Sequence, residues 1–129
     1  MYLPGTGGQI KVTEVDQIVL IELIGRRFPE VPVAEALSHF VTERLQGGRR
    51  VFVVQCAQVN SFRSSGVGLL IAIRNLVRER GGTVALCEVS SRVRYTLTTI
   101  LGVASLFPIF DSCDDAMAEL SGDGGAQAE

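Results

Sequence analysis

The chain has 129 residues, a formal net charge of −2, and 47% hydrophobic and 20% charged residues, a composition typical of a single globular domain and unlike that of disordered chains. Eleven of the twelve basic residues are arginines, spread from Arg26 to Arg94 without a dense block, so direct binding of nucleic acid is not expected. The longest apolar run, Gly66 to Ile73, is too short to span a bilayer, and the first residues lack the features of a secretory signal. We therefore expect a cytoplasmic protein that does not insert into a membrane.

The cysteine and histidine content argues against a metal site. Cys56, Cys87 and Cys113 form no Cys-x-x-Cys pair, and His39 is the single histidine. We therefore expect neither a zinc site nor another cofactor. Cys56 and Cys87 end strand-like runs, where a free thiol in a reducing compartment behaves as a small hydrophobic residue. Both are predicted to be buried thiols.

The first half of the chain predicts a β-hairpin followed by a helix. Residues 1–8 are rich in glycine and are expected to form a flexible start. Residues 10–15 alternate between apolar and polar side chains, and residues 17–23 continue in β-formers after a turn, which predicts two antiparallel strands. A polar loop covers residues 26–30. Apolar side chains at helical spacing from 34 to 45 then predict an amphipathic helix.

The segment from Arg50 to Gly82 predicts the centre of the fold. Residues 50–56 are the most apolar strand candidate, and their continuous apolar run at 51–54 is typical of a strand that is covered on both faces. A helix is predicted from about Ser64 to Glu79, where Gly81 and Gly82 terminate it. The apolar run at 83–87 predicts the next strand and completes a β-α-β unit.

The last third of the chain predicts two further helices and an edge strand. Ser90 and Ser91 are positioned to cap a helix that reaches about Ile100. Residues 106–110 are short, apolar and contain a proline, which suits an edge strand. Residues 112–120 predict the last helix, and the small polar residues 121–129 are expected to be a disordered tail.

The alternation of strands and helices predicts one α/β domain over residues 9–120. Its mixed sheet has about five strands, is opened by the antiparallel hairpin, and is accompanied by about four helices. Loops at the carboxyl ends of the strands gather at one edge of such a sheet. Residues 25–30, 57–65 and 88–91 are therefore expected to meet there.

Ser64 and Ser65 stand at the predicted start of a helix within this edge. A serine nucleophile needs a base within hydrogen-bond reach, and neither a histidine nor a cysteine can be assigned beside Ser64. The Gly-x-Ser-x-Gly pattern of hydrolases is absent, so no catalytic residue is assigned. Two interpretations remain: the serines cap the helix, or an added phosphate is held by free N–H groups at the helix start and controls an interface.

Three segments together resemble a known family. They are the run from Val51 to Gly68, in which Ser-Ser-Gly-Val-Gly opens the helix, the sequence Arg-Gly-Gly-Thr-Val at 80–84, and the pattern Val-x-x-x-Leu-x-x-x-Leu-Gly at 93–102. This combination resembles the STAS domain of bacterial anti-sigma factor antagonists. The resemblance implies a small α/β domain and a non-enzymatic role. It also implies that the dephosphorylated protein binds a serine kinase that doubles as an anti-sigma factor, and that phosphorylation dissolves the complex.

The resemblance identifies Ser64 as the phosphate acceptor, since it matches the first serine of the family motif Asp-Ser-Ser-Gly. Arg63 stands where the family has aspartate, and Gly25-Arg26-Arg27-Phe28 stands where the family tends to have Gly-Glu-Leu-Asp. Both departures turn an acidic edge basic. The expected partner-binding residues are Arg26, Arg27, Arg63, Ser64, Ser65 and Gly66.

The basic edge leaves two outcomes open. In the first, Arg63 and Arg26 pair with a phosphate on Ser64, and the switch is retained with an altered protein partner. In the second, the chain is a STAS scaffold or ligand-sensing subunit of a signalling or transport assembly, and Ser64 is never phosphorylated. Because charge complementarity at an interface decides which partner binds, the two outcomes require different partners.

Overall fold

The computed structural model describes residues 1–100 and 102–126. In chain order the elements are β1 (Ile10–Val15), β2 (Ile18–Leu23), β3 (Arg27–Phe28), α1 (Ala34–Gln46), β4 (Val51–Gln55), β5 (Ser61–Phe62), α2 (Ser64–Glu79), β6 (Thr83–Cys87), α3 (Ser91–Tyr95), β7 (Ile109–Phe110) and α4 (Cys113–Ala126). A π-helical turn at Thr96–Ile100 continues α3, and a 3₁₀ turn lies at Ala104–Leu106. No helix within the described ranges is long and apolar enough to cross a membrane.

The main sheet has five strands in the order β1-β2-β4-β6-β7. Strands β1 and β2 are antiparallel, with Ile10 opposite Leu23, whereas β2, β4, β6 and β7 run parallel to one another. The predicted hairpin, the central strand at 51–55 and the helices at 34–46 and 64–79 are therefore confirmed, as is the α/β class. Each parallel strand follows its neighbour through a crossover that contains a helix, so strand order follows chain order.

The side chains of each central strand alternate between the two faces of the sheet. Phe52 and Val54 of β4 join the larger core, which also contains the buried apolar residues of α1, α2 and α3. Val53, on the opposite face of β4, belongs to a second and smaller cluster with Ala116 of α4. The continuous apolar run at 51–54 is thus explained by helices on both faces of the sheet.

Several local features differ from the sequence-based expectation. The polar loop at 26–30 contains the short strand β3, which pairs with β5. The predicted edge strand at 106–110 is reduced to Ile109–Phe110. Helix α4 continues from Cys113 to Ala126, past Leu120, where we predicted the disordered tail to begin, and residues 127–129 of that tail lie outside the described residues.

The glycine-rich start of the chain, which we expected to be flexible, lies against the edge of β1. The Leu3 N–H donates to the Ile10 carbonyl oxygen at 2.8 Å, and the Val12 N–H donates to the Met1 carbonyl oxygen at 2.8 Å. Thr6 is fully buried, and its hydroxyl donates to the Leu3 carbonyl oxygen at 2.7 Å. This segment therefore shields the outer edge of the hairpin.

The prediction of a free thiol at Cys87 is wrong, because Cys87 forms a disulfide with Cys113 across 26 residues of sequence. The fold brings the end of β6 to the start of α4, a proximity that cysteine spacing does not reveal. Cys56 is free and buried as predicted. Burial raises the pKa of the Cys56 thiol to about 12, because a buried thiolate is poorly solvated.

Candidate functional site

The two short strands β3 and β5 bring the predicted loops together. They pair in parallel, with Arg27 opposite Ser61 and Phe28 opposite Phe62. The Arg26 carbonyl oxygen accepts from the N–H groups of Asn60 and Ser61 at 2.7 and 3.1 Å. Beneath the pair, the rings of Phe28 and Phe62 meet edge to face, with centroids 6.0 Å apart. The predicted meeting of segments 25–30 and 57–65 is therefore observed.

Helix α2 begins immediately after β5, and Arg63 is its N-cap residue with extended backbone angles. The Arg63 N–H donates to the Phe28 carbonyl oxygen at 2.8 Å, and the Arg63 carbonyl oxygen accepts from the N–H groups of Gly66 and Val67. Among the residues that the structure describes, no side chain caps this helix. The interpretation of Ser64 and Ser65 as capping residues is therefore wrong, and both are exposed in the first turn.

The first turn of α2 has N–H groups available to an external acceptor. Within the described part of the chain, the Ser64 and Ser65 N–H groups have no recorded acceptor, whereas those of Gly66 and Val67 bond to Arg63. Unpaired N–H groups at a helix start favour an anion, and the helix dipole adds to that preference. The surroundings of the Ser64 hydroxyl are thus compatible with an added phosphate.

Gly66 allows α2 to approach β3 closely. It is buried, and a β-carbon built on it would lie 2.8 Å from the Phe28 carbonyl oxygen and 3.1 Å from both the Phe62 ring and Pro29. Only glycine fits such an approach without displacement of its neighbours. Gly66 therefore sets the position of the serines relative to the arginines of the β3 segment.

The arginines at this edge have different partners. Arg63 Nη2 lies 3.8 Å from Glu30 Oε1, and both side chains are about half exposed. In the amide orientation that satisfies both groups, Asn60 Oδ1 accepts from Arg26 Nε at 3.2 Å and Nη2 at 3.3 Å. Arg27 is exposed on β3. The sequence-based expectation did not include Glu30 and Asn60, because neither belongs to the motif that indicated the site.

A cleft of about 400 Å³ opens beside the start of α2. Its wall is mainly apolar and is formed by Pro29, Val31, Pro32, Val33, Ala34 and Leu69, while Glu30, Arg63 and Ser65 supply the polar groups. Ser65, Arg63 and the β3–α1 segment thus border a concave surface, whereas Ser64 lies outside its lining. Apolar clefts with a few polar groups are typical of binding surfaces.

The third predicted loop contributes structural bonds to other parts of the fold. The Ser90 hydroxyl accepts from the Val93 N–H at 3.1 Å and caps α3, and Glu88 Oε2 accepts from the Cys113 N–H at 3.1 Å. His39 lies on α1, where its Nε2 is 3.2 Å from Glu43 Oε2. None of these contacts assembles a base beside Ser64.

A mixed sheet in chain order, with a serine pair at the start of the helix that follows its central strand, defines the class of small α/β domains to which the sequence motif points. The sequence model of the STAS domain matches residues 9–116. The chain belongs to the STAS domain family.

One curated relative is an anti-sigma F factor antagonist of Paenibacillus polymyxa, which is 33% identical over 57 residues. The match covers 44% of this chain and 48% of that protein, so it spans about half the length of the relative. The family is thus supported by sequence as well as by fold.

Solved structures share the fold at low identity. The unphosphorylated form of the anti-sigma factor antagonist SpoIIAA has a TM-score of 0.73 at 18% identity, covering 88% of this chain and 96% of that one. The phosphorylated form of the Bacillus cell fate determinant SpoIIAA has a TM-score of 0.66 at 17% identity, with 86% and 98% covered. A sulfate transporter family protein from Wolinella succinogenes has a TM-score of 0.69 at 21% identity, with 84% and 88% covered.

Proposed function

We propose that this chain is a non-catalytic regulatory domain of the anti-sigma factor antagonist type, whose binding to an anti-sigma factor with serine kinase activity is ended by phosphorylation of Ser64. The observation that carries the proposal is the exposed Ser64 in the first turn of α2, where the N–H groups of Ser64 and Ser65 have no acceptor among the described residues. The Paenibacillus relative and the two SpoIIAA forms support the same role for the fold.

The charge of the edge determines which partner fits. Arg26, Arg27 and Arg63 are exposed around the serine pair, so the partner surface is expected to be acidic where it meets them. A phosphate on Ser64 adds about −1.5 to −2 charges. That charge pairs with neighbouring arginine in charge-assisted bonds and repels the acidic surface of the partner. Phosphorylation thereby ends the complex.

A second candidate function follows from Arg63 itself. Where the family motif has aspartate, this chain has an arginine whose Nη2 lies 3.8 Å from Glu30 Oε1. A constitutive scaffold or ligand-sensing subunit uses the same basic edge to hold an acidic protein or an anionic ligand, with Ser64 unmodified. The Wolinella transporter protein is one example of this fold outside sigma regulation.

Mass spectrometry of the protein isolated from its own host separates these functions. Trypsin cleaves after Arg63 and Arg74, so Ser64 and Ser65 lie in a peptide that ends at Arg74, and fragment ions distinguish the two serines. Phosphate on Ser64 that is lost in Ser64→Ala but kept in Ser65→Ala supports the switch. The absence of phosphate on Ser64 under all growth conditions, with the partner bound equally by wild type and Ser64→Ala, supports the scaffold instead.

A further inference from the structure

Cys87 and Cys113 connect the sheet to the last helix. Cys87 is the final residue of β6, Cys113 is the first residue of α4, and their Cα atoms lie 5.3 Å apart in the disulfide. We propose that this pair is a reversible redox switch, which when oxidised fixes β7 and α4 (residues 109–126) on the second face of the sheet and when reduced lets that unit open. The proposal is independent of phosphorylation at Ser64.

Among residues 1–100 and 102–126, helix α4 is the helix that packs on the second face of the main sheet. The buried apolar side chains of α1, α2 and α3 all belong to the larger core on the first face. The second cluster contains Ile18, Val53, Cys87 and Ala116, with Leu20, Val51, Phe110, Cys113, Met117 and Leu120 packed around it. Opening of the β7–α4 unit therefore exposes an apolar strip of β2 and β4 and the edge of β6.

The described contacts of this unit include a two-residue parallel pairing of β7 with β6, Leu86 with Ile109 and Cys87 with Phe110. Beside that pairing, the Leu86 N–H donates to the Pro108 carbonyl oxygen at 2.9 Å and the Glu88 N–H donates to the Phe110 carbonyl oxygen at 3.2 Å. Glu88 Oε2 accepts from the Cys113 N–H at 3.1 Å. The described apolar contacts of α4 with this cluster come from Cys113, Ala116, Met117 and Leu120.

The sequence of α4 adds little stability of its own. The segment 121–125 is Ser-Gly-Asp-Gly-Gly, and glycine is among the weakest helix formers. A helix of 14 residues is marginal in water without tertiary contacts. The disulfide therefore adds a covalent tie to an attachment that otherwise depends on a short strand pairing and one apolar face of α4.

The redox step is a thiol–disulfide exchange with a small-molecule disulfide, written RSSR. A cysteine thiolate attacks RSSR, a mixed disulfide forms and the first RSH leaves. The second cysteine then attacks the mixed disulfide, which yields the Cys87–Cys113 bond and a second RSH. The two thiol protons end on the two RSH molecules, and two electrons pass from the cysteine pair to RSSR. Reduction by excess RSH reverses both steps.

The structure restricts thiol–disulfide exchange within the chain to the pair Cys87 and Cys113. Cys113 is half-buried in the first turn of α4, where the helix dipole favours a thiolate, partly offset by Asp114 and Asp115. Cys56 lies near Cys87 along the backbone, and its N–H donates to the Cys87 carbonyl oxygen at 3.0 Å. Its side chain, however, belongs to the larger core on the opposite face of the sheet. Cys56 is therefore not a competing partner.

Equilibration of the full chain in mixtures of reduced and oxidised glutathione tests the chemistry. After alkylation under denaturing conditions, the intact mass of the chain reports how many cysteines were alkylated. As the buffer becomes more oxidising, two cysteines should escape alkylation together. Cys56→Ala should respond like wild type, and Cys113→Ser should show no such pair. Failure of wild type to form the internal bond in oxidised glutathione would overturn the proposal.

Hydrogen exchange of wild type in the two redox states tests the opening and requires no variant. Reduction should accelerate amide exchange in residues 109–126 and in β6 by roughly 10²-fold, while amides of β1 and β2 remain unchanged. Unaltered exchange in residues 109–126 would show that the disulfide has no switching role. Equal acceleration in every element would show global unfolding, and it would also overturn the proposal.

Discussion

Gly66 and Phe28 lie so close together that a β-carbon on Gly66 would stand 2.8 Å from the Phe28 carbonyl oxygen. The same carbonyl oxygen accepts the Arg63 N–H at 2.8 Å. The peptide group of Phe28 therefore defines both where α2 begins and how closely α2 packs against β3. The relative positions of Arg63, Ser64 and the cleft follow from this contact.

Gly66→Ala is expected to lower the free energy of unfolding by about 1–3 kcal/mol, because the added methyl group displaces either β3 or the start of α2. Gly68→Ala is the matched control, since it lies in the same helix and a β-carbon there meets nothing within 4 Å. That control should be neutral or stabilising by up to about 1 kcal/mol. Urea denaturation of both variants measures the contrast, and equal effects would contradict the packing argument.

Glu14 should contribute stability that depends on pH. Its Oε1 accepts from Arg49 Nη2 at 2.9 Å, and its Oε2 accepts from Arg44 Nε at 2.6 Å. The hydrogen bond from Arg49 lowers the pKa of the Glu14 carboxyl most, burial opposes it, and the hydrogen bond from Arg44 lowers the pKa further, so that the net shift is downward. Because the folded-state pKa lies below the unfolded one, the stabilisation is complete above the unfolded value of about 4.3 and is lost as the pH falls through the folded value.

Glu14→Gln should therefore lower the free energy of unfolding near pH 7 by less than about 1 kcal/mol, since the group is partly solvent-exposed. The difference from wild type should disappear as the pH falls through the folded-state pKa of Glu14. Glu119→Gln, at an exposed position on α4, serves as the control. Denaturation curves recorded at decreasing pH from pH 7 measure both, and a difference that does not shrink as the pH falls would argue against the ion pair as its cause.

Arg63→Asn is expected to stabilise the fold relative to Arg63→Ala by about 1 kcal/mol. The backbone of Arg63 has the extended angles of an N-cap residue, yet no side chain in residues 1–100 and 102–126 accepts from the first turn of α2. Asparagine supplies such an acceptor, whereas alanine does not. The lost ion pair with Glu30 is half exposed and should matter little in either variant.

The measurement for Arg63 is the free energy of unfolding of the two variants and wild type. An asparagine variant that is more stable than wild type would mean that Arg63 is not present for stability. Recognition of an anion or an acidic partner would then remain as its role. An asparagine variant no more stable than the alanine variant would instead indicate that the first turn of α2 is unavailable to a capping side chain.

Cys56 should resist alkylation in the native protein. Its pKa is raised to about 12 by burial, so at pH 8 only about one molecule in 10⁴ carries the thiolate that reacts. Iodoacetamide labelling followed by peptide mass spectrometry should show slow modification of Cys56 in buffer and rapid modification in denaturant. Native labelling at the denatured rate would show that the thiol is accessible.

The order and type of the main elements could be predicted from local patterns. Alternation at 10–15, a continuous apolar run at 51–54 and helical spacing after Ser64 each have one dominant physical explanation. Strand β3 could not be predicted in this way, because two polar-loop residues become a strand only when Ser61 and Phe62 pair with them. The interpretation of the serines as capping residues, one of two that the sequence left open, is also wrong, since Arg63 is the N-cap residue and its N–H bonds to the Phe28 carbonyl oxygen.

By itself, the sequence determined the α/β class, the hairpin and the serine pair at a helix start, because these depend on side-chain periodicity and on residues adjacent in the chain. Only the tertiary structure decided that Arg63 meets Glu30, that Ser65 borders a cleft, and that Cys87 joins Cys113. Each of these contacts joins segments whose separation in the chain gives no information about their distance in space. Chain crossovers and the packing of α2 and α4 on the sheet set that distance.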